Sequence, residues 1–151
     1  MSMASGERRL LLLHGPNLNL LGRREPAIYG TGTLADLERD AIAHAERRGW
    51  TLECHQSNHE GVLIDLLQER APLTRGVILN AGALTHSSYA IYDCLRALDV
   101  PVVEVHLSNI HARAEGFRHQ SVTAPAAVGV IAGFGARGYL FAMEYFFDRD
   151  E

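Results

Sequence analysis

The sequence predicts an α/β domain in which helices cover both faces of a five-stranded parallel sheet, and three observations carry that expectation. Short apolar, often β-branched runs alternate with amphipathic stretches along the chain. The later runs are almost continuously hydrophobic, as expected of strands covered by helices on both faces. No repeat, low-complexity tract or interdomain linker interrupts the alternation, and 151 residues suit one domain with a sizeable core.

"RLLLL" (Arg9–Leu13) reads as the first strand, after a disordered leader over residues 1–8, so that 9–151 forms a single domain. Thr33 and Asp36 make a capping-box-like start to a helix with Leu34, Leu37, Ala41, Ile42 and Ala45 on one face, ending at Gly49. "TLECHQ" (Thr51–Gln56) is the second strand, and Asn58 is placed to cap a helix with apolar positions Val62, Leu63, Leu66 and Leu67. "GVILN" (Gly76–Asn80) is the third strand, followed by "THSSYAIYDCLRALD", a helix opened by hydroxyl residues. "PVVEVHLS" (Pro101–Ser108) and "AAVGVIAG" (Ala126–Gly133) are the fourth and fifth strands, and "ARGYLFAMEYFFDR" is a closing helix with aromatic residues on its buried side. The simplest assembly is a flavodoxin-like, doubly wound, three-layer α/β/α fold with strand order 2-1-3-4-5.

Composition narrows the chemistry. A formal charge of −4 argues against a nucleic-acid binder. No apolar run approaches the ~18 residues of a membrane span, and the amino-terminal stretch lacks a signal-peptide cleavage pattern. Cys54 and Cys94 have no partner spacing and read as free thiols in a reducing cytoplasm. All fourteen basic residues are arginine. The lack of lysine removes Schiff-base chemistry, pyridoxal phosphate attachment and the P-loop lysine, leaving charge work to guanidinium groups that do not deprotonate.

In a doubly wound sheet ligands sit outside the carboxyl ends of the strands. There the chain places His14 and Asn17, then Asn80 and His86, then Glu104, His106 and Ser108, whereas the opposite edge has Gly49, Trp50, Arg75 and Pro101. Each polar residue also has a bland reading: Asn17 in a side-chain turn, Asn80 tying loop to loop, His106 as a satisfied structural histidine, Tyr29 as a packed ring, and Arg24, Arg113 and Arg118 as solvated charges. Glu104 lies two residues from His106 on the same strand face, and a carboxylate there orients a histidine for acid/base work. "GFGARG" (Gly133–Gly138) matches a dinucleotide-binding pattern, but it follows the last strand with no acidic residue far enough downstream, so it reads as a tight helix–sheet turn. His55 and His59 straddle a strand end and loop, a poor arrangement for one metal, and no nucleophile-elbow serine motif occurs.

The segment "HGPNLNLLGRREPAIYGTGT" (His14–Thr33) is several times longer than the ~2–6 residues that usually link strand to helix. It carries Arg24 five residues before Tyr29 in a glycine-flanked loop. A phenol, with its ordinary pKa near 10, is a poor base at neutrality, but an adjacent cation lowers it by about 1–3 units. The segment therefore reads as a catalytic lid that makes a tyrosinate when it closes and excludes water.

Together "LLLHGPNLNLLGRREPAIYG", "QSNHEGVLIDLL", "ILNAGALTHSSYAIYDCL" and "VEVHLSNIHARAEGFRHQS" resemble the type II 3-dehydroquinate dehydratases, from about Leu10 to Tyr145. The resemblance implies a single catalytic domain and cofactor-free, metal-free dehydration of 3-dehydroquinate to 3-dehydroshikimate in the shikimate pathway. It also implies a homo-oligomer, a dodecamer built as a tetramer of trimers. Carried over by motif, Tyr29 takes a proton from C2 to give an enolate, Arg24 depresses the tyrosine pKa, and Asn17 holds the enolate through water. His106, oriented by Glu104, protonates the departing C1 hydroxyl by anti elimination. Asn80 with Leu107 and Ser108 binds the substrate carboxylate, His86 and Arg118 bind ring hydroxyls, Arg113 joins the closing lid, and Asp93 reaches a neighbouring subunit's site. The missing lysine fits, because the type I enzymes of this reaction use a Schiff-base lysine.

Three departures stand out: one extra residue between Arg113 and Arg118, Tyr92 where the family commonly has arginine, and Ala81 for a frequent proline. Two other function classes fit the sequence less well. A flavodoxin-like binding module for a phosphate or nucleotide lacks a glycine-rich cradle after strand 1, and a catalytically dead scaffold would have lost Tyr29 or His106.

Overall fold

A computed structural model describes residues 7–23, 25–29 and 32–149, with the backbone alone at positions 26 and 29. Five strands, β1 (Arg9–His14), β2 (Thr51–Gln56), β3 (Gly76–Asn80), β4 (Val102–His106) and β5 (Gly129–Ala132), form one sheet of order β2-β1-β3-β4-β5. All four pairings are parallel, so the predicted topology holds. The helices are α1 (Pro26–Tyr29), α2 (Leu34–Arg47), α3 (Glu60–Arg70), α4 (Tyr89–Arg96) and α5 (Arg137–Arg149). No helix among the described residues is long and apolar enough to cross a membrane. Of the leader expected over residues 1–8, the first six positions lie outside the described residues.

Side chains alternate across a strand, and β1 uses both faces. Leu10 and Leu12 join α2 and α5 in one core with Trp50, Ile78, Val103 and Val105; Leu11 and Leu13 join α3 and α4 in the other with Val77, Leu79 and Val102. A strand buried on both sides can carry leucine at every position, which is why "LLLL" is a strand here. Tyr139, Phe146 and Phe147 of α5 are buried as expected, while Phe141 and Tyr145 face outward.

Local chemistry sets the boundaries. Thr33 and Asp36 form the predicted capping box, each side chain accepting the other's backbone N–H at 3.1 Å. Asn58, however, does not cap α3. The cap is His59, without a side-chain bond, and Ser57 Oγ accepts the His59 N–H, because the Asn58 side chain is taken up by the loop after β1. The helix expected from Thr85 is split. A 3-10 turn covers Gly82–His86, and Ser88 then caps α4 by accepting the Ile91 N–H at 2.9 Å.

Strand 4 ends at His106, so Leu107 and Ser108 leave the ladder. Strand 5 begins only at Gly129, after a 3-10 turn around Pro125. Every residue of β3 and β4 is buried, but Gly129 and Val130 of β5 are exposed. Its apolar run predicts cover on both faces. The edge position leaves it one sheet neighbour and less cover. The glycines of "GFGARG" serve turn and packing: Gly133 and Gly135 have positive φ, and a Cβ on Gly138 would press on Val105 and Ile131.

Candidate active site

The parallel sheet brings the carboxyl ends of β1, β3 and β4 side by side, and the loops that leave them line one pocket. Its walls include Asn17, Asn80, His86, His106, Leu107, Ser108, Arg113 and Arg118, eight residues singled out from the sequence. A second concavity, bounded by Ile28 of α1, Asn109 and Gly133, adjoins it through Leu107, Ser108 and Arg113. The four-residue helix α1 therefore stands beside the pocket. Tyr29 ends that helix, but its side chain lies outside the described residues, as does all of Arg24. Asp93 is exposed on α4 and does not line either concavity.

Beneath the pocket lies a buried acid–imidazole pair. Alternation on β4 points Glu104 and His106 to the same face, and His106 Nε2 sits 2.7 Å from Glu104 Oε2. Glu104 is 2 % exposed and His106 5 %. A carboxylate only accepts, so Nε2 carries the proton and Nδ1 is the ring nitrogen left for a ligand. The other carboxylate oxygen accepts from Thr123 Oγ1 at 2.6 Å and from Ser121 Oγ at 3.1 Å. Burial by itself would raise the Glu104 pKa, but the bonds from His106, Thr123 and Ser121 together hold it below the usual value.

His86 stacks beside His106, with ring centroids 6.4 Å apart. Its Nδ1 lies 2.6 Å from the carbonyl oxygen of Gln120 and so donates to it, leaving Nε2 as a lone-pair acceptor. Burial first, and then His106 and Arg118 nearby, lower its pKa and favour that neutral form. Arg113 Nη1 donates to Ser108 Oγ at 3.2 Å, and Arg118 Nε to Glu115 at 3.1 Å. The pocket thus brings two guanidinium groups, a hydroxyl and amides, donors suited to an anion, together above a carboxylate-anchored histidine.

Two positions behave differently from a plain surface group. The Asn80 amide donates to the Tyr139 hydroxyl at 2.8 Å and its oxygen accepts the Gly82 N–H, so the residue ties loop to core while its second amide N–H has no acceptor among the described residues. Asn17 has a left-handed backbone (φ 71), and its N–H donates to Asn58 Oδ1 at 2.9 Å, which in turn accepts from Gln56. His14, read as part of the polar edge, turns inward instead. Residue 14 falls on the α2/α5 face of β1, where the ring lies 5.8 Å from Tyr139 and 3.1 Å from Glu38, poorly aligned for a hydrogen bond.

Asn58, Ser121, Thr123 and Tyr139 were not foreseen as parts of the site. Each reaches it across 17 to 59 residues of chain, and no local pattern marks them.

Comparison with known proteins is consistent with this geometry. The sequence model of class II dehydroquinases matches residues 8–147. The chain is 56 % identical over 135 residues to a 3-dehydroquinate dehydratase of Ruegeria pomeroyi, covering 89 % of this chain and 90 % of that protein. It is 56 % identical over 136 residues to one from Bacillus mycoides, covering 90 % and 92 %. The crystal structure of a type II dehydroquinase from Butyrivibrio crossotus superposes with a TM-score of 0.90 at 42 % identity, covering 93 % of this chain and 97 % of that one.

Proposed function

Because this chain belongs to the class II dehydroquinase family, we propose that it dehydrates 3-dehydroquinate to 3-dehydroshikimate by anti elimination, with a tyrosinate base and a histidine acid. The observation that carries the reading is the buried Glu104–His106 pair under a pocket edged by Asn17, Asn80, Ser108, Arg113 and Arg118.

The substrate enters with its carboxylate toward Asn80, Leu107 and Ser108, where the second Asn80 amide N–H, the chain beyond β4 and the Ser108 hydroxyl supply donors. His86 and Arg118 take ring hydroxyls; the neutral Nε2 of His86 accepts and the guanidinium donates. Tyr29, made acidic by Arg24, removes a proton from C2, and Asn17 holds the resulting enolate through water. His106 in its imidazolium form keeps its Nε2 proton, hydrogen-bonded to the Glu104 carboxylate, and delivers the other from Nδ1 to the departing C1 hydroxyl. Water leaves and the conjugated enone forms. Arg113, bonded to Ser108 at the junction of the two concavities, closes over the ligand with the Arg24–Tyr29 segment.

The reaction needs no metal or cofactor. The active form is a homo-oligomer, a dodecamer built as a tetramer of trimers, in which Asp93 reaches a neighbour's site. The exposed edge of β5, with Val128, Val130 and the nearby Phe134 and Phe141 uncovered, supports association with further copies. The enzyme works in the cytoplasm.

The test is direct. Purified protein given 3-dehydroquinate develops the ultraviolet absorbance of a conjugated enone, and EDTA leaves the rate unchanged. Absence of that signal at high enzyme concentration overturns the proposal.

A further inference from the structure

The segment Gln120–Thr123 reaches both histidines of the pocket, His86 directly and His106 through Glu104. Gln120 gives its carbonyl oxygen to His86 Nδ1. Thr123 and Ser121 give their hydroxyls to the Glu104 oxygen that His106 does not use. The segment is itself pinned: Val122 N–H donates to the Thr85 carbonyl at 2.8 Å, and Ala124 N–H donates to Ser121 Oγ at 2.9 Å. Thr123 is fully buried, and Ser121 and Thr123 hydroxyl oxygens lie 3.1 Å apart.

We propose that Ser121 and Thr123, together with the Gln120 carbonyl, are a positioning strap that fixes which ring nitrogen of His106 and of His86 is presented to the substrate. The inference rests on the proposed function for its kinetic consequence, but not for its geometry. A carboxylate anchored only at Oε2 can pivot about its last torsion and offer the imidazole a poorly directed acceptor. Two hydroxyl donors on Oε1 remove that freedom and keep the carboxylate charged in a buried setting. His106 then retains its proton on Nε2 when the ring is neutral. On the other side, the Gln120 carbonyl accepts only from an N–H, so His86 keeps its proton on Nδ1. Among the described residues, the groups that could perturb Glu104 by titrating or by charge are His106 at 2.7 Å and, beyond it, His86 with Arg118.

The experiment compares Thr123→Val, Thr123→Ser, Ser121→Ala and the double variant Ser121→Ala/Thr123→Val. Thr123→Val keeps the shape and removes the hydroxyl; kcat falls about tenfold or more while KM stays within roughly twofold. Thr123→Ser restores kcat to within about twofold, because the donor returns. In the double variant the acid limb of the kcat profile rises by about one pH unit, since an undonated buried carboxylate protonates more readily. Nitrogen-15 NMR of the side chains, recorded where the rings are neutral, shows the Nε2–H form of His106 in the unaltered protein and a mixture of forms in the double variant.

Unchanged tautomers together with an unchanged acid limb, in variants with native circular dichroism, overturn the proposal. So does failure of Thr123→Ser to rescue, which would assign Thr123 to packing alone. If Thr123→Val does not fold, Ser121→Ala decides by the same limb and the same spectrum. An unaltered protein that never turns over 3-dehydroquinate overturns the proposed function, and the NMR comparison still decides the strap.

Discussion

The amide of Asn80 donates to the hydroxyl of Tyr139 at 2.8 Å, joining the end of β3 to the first turn of α5 inside the core. Tyr139→Phe deletes the acceptor and leaves a buried amide N–H without its partner. Stability falls by about 1–2 kcal/mol, measured by urea unfolding. Turnover falls less than in any His106 variant, because the bond from Asn80 to Gly82 still holds the loop.

Glu104→Gln preserves shape but removes the charge that faces His106. Loss of an oriented acid costs about 10²–10⁴-fold in kcat, and Glu104→Gln is expected near the lower end, with His106→Ala approaching the upper. KM for 3-dehydroquinate changes only a few-fold in both, so a dominant KM effect would move Glu104 from proton transfer to binding.

Tyr29→Phe abolishes turnover with a modest effect on ligand affinity, whereas Arg118→Ala chiefly weakens binding. Steady-state kinetics with calorimetric titration of a non-reacting product analogue separates the two. Near-normal turnover by Tyr29→Phe would show the base assignment to be wrong.

Gly15 is a close approach rather than a hinge. A Cβ there would fall 2.4 Å from the Ala81 carbonyl oxygen, while the Gly15 N–H already donates to Asn80 O at 2.7 Å. Gly15→Ala must therefore push β1's exit loop away from β3, costing about 2–4 kcal/mol and disturbing the pocket wall. Thermal denaturation and the enone assay read both effects.

On the edge strand β2, Glu53 accepts from Arg70 Nε at 2.7 Å and Nη2 at 2.9 Å, with His55 at 2.7 Å and Arg9 at 3.4 Å. The Arg70 bonds, opposed by burial and helped by His55, bring its pKa from 4.5 to about 2. A depressed carboxylate stabilises the fold above its unfolded pKa and loses that contribution as pH falls through the folded value. Glu53→Gln is therefore less stable at pH 7 by about 1–2 kcal/mol, solvent screening of the half-exposed Arg70 included. The difference shrinks between pH 4.5 and about 2 in denaturant titrations.

Much of this architecture could be read from short stretches. β3 matches its apolar run at both ends, and the two-residue spacing of Glu104 and His106 foretold their 2.7 Å contact. Those features depend on local period alone. The rest depends on which distant segments meet. Asn58 left its helix cap for Asn17, across 41 residues, and Ser121 and Thr123 lie in a stretch without any period that folds back on β4. The exposure of β5 follows from the margin position that the expected strand order already gave it, although its apolar run alone suggests cover on both faces, and His14 turned inward because its register on β1 faces α5.

Asn17 shows why an alanine scan around this pocket would mislead. Its backbone bend is one that asparagine and glycine adopt readily, while alanine resists it by about 1–2 kcal/mol. Truncation would reshape the rim and delete an amide in one stroke, and the two losses would be scored as one. Glycine keeps the bend and discards the chemistry; aspartate keeps bend and size but exchanges a donor for an acceptor. Only that pair tells the path of the peptide apart from the work of the side chain.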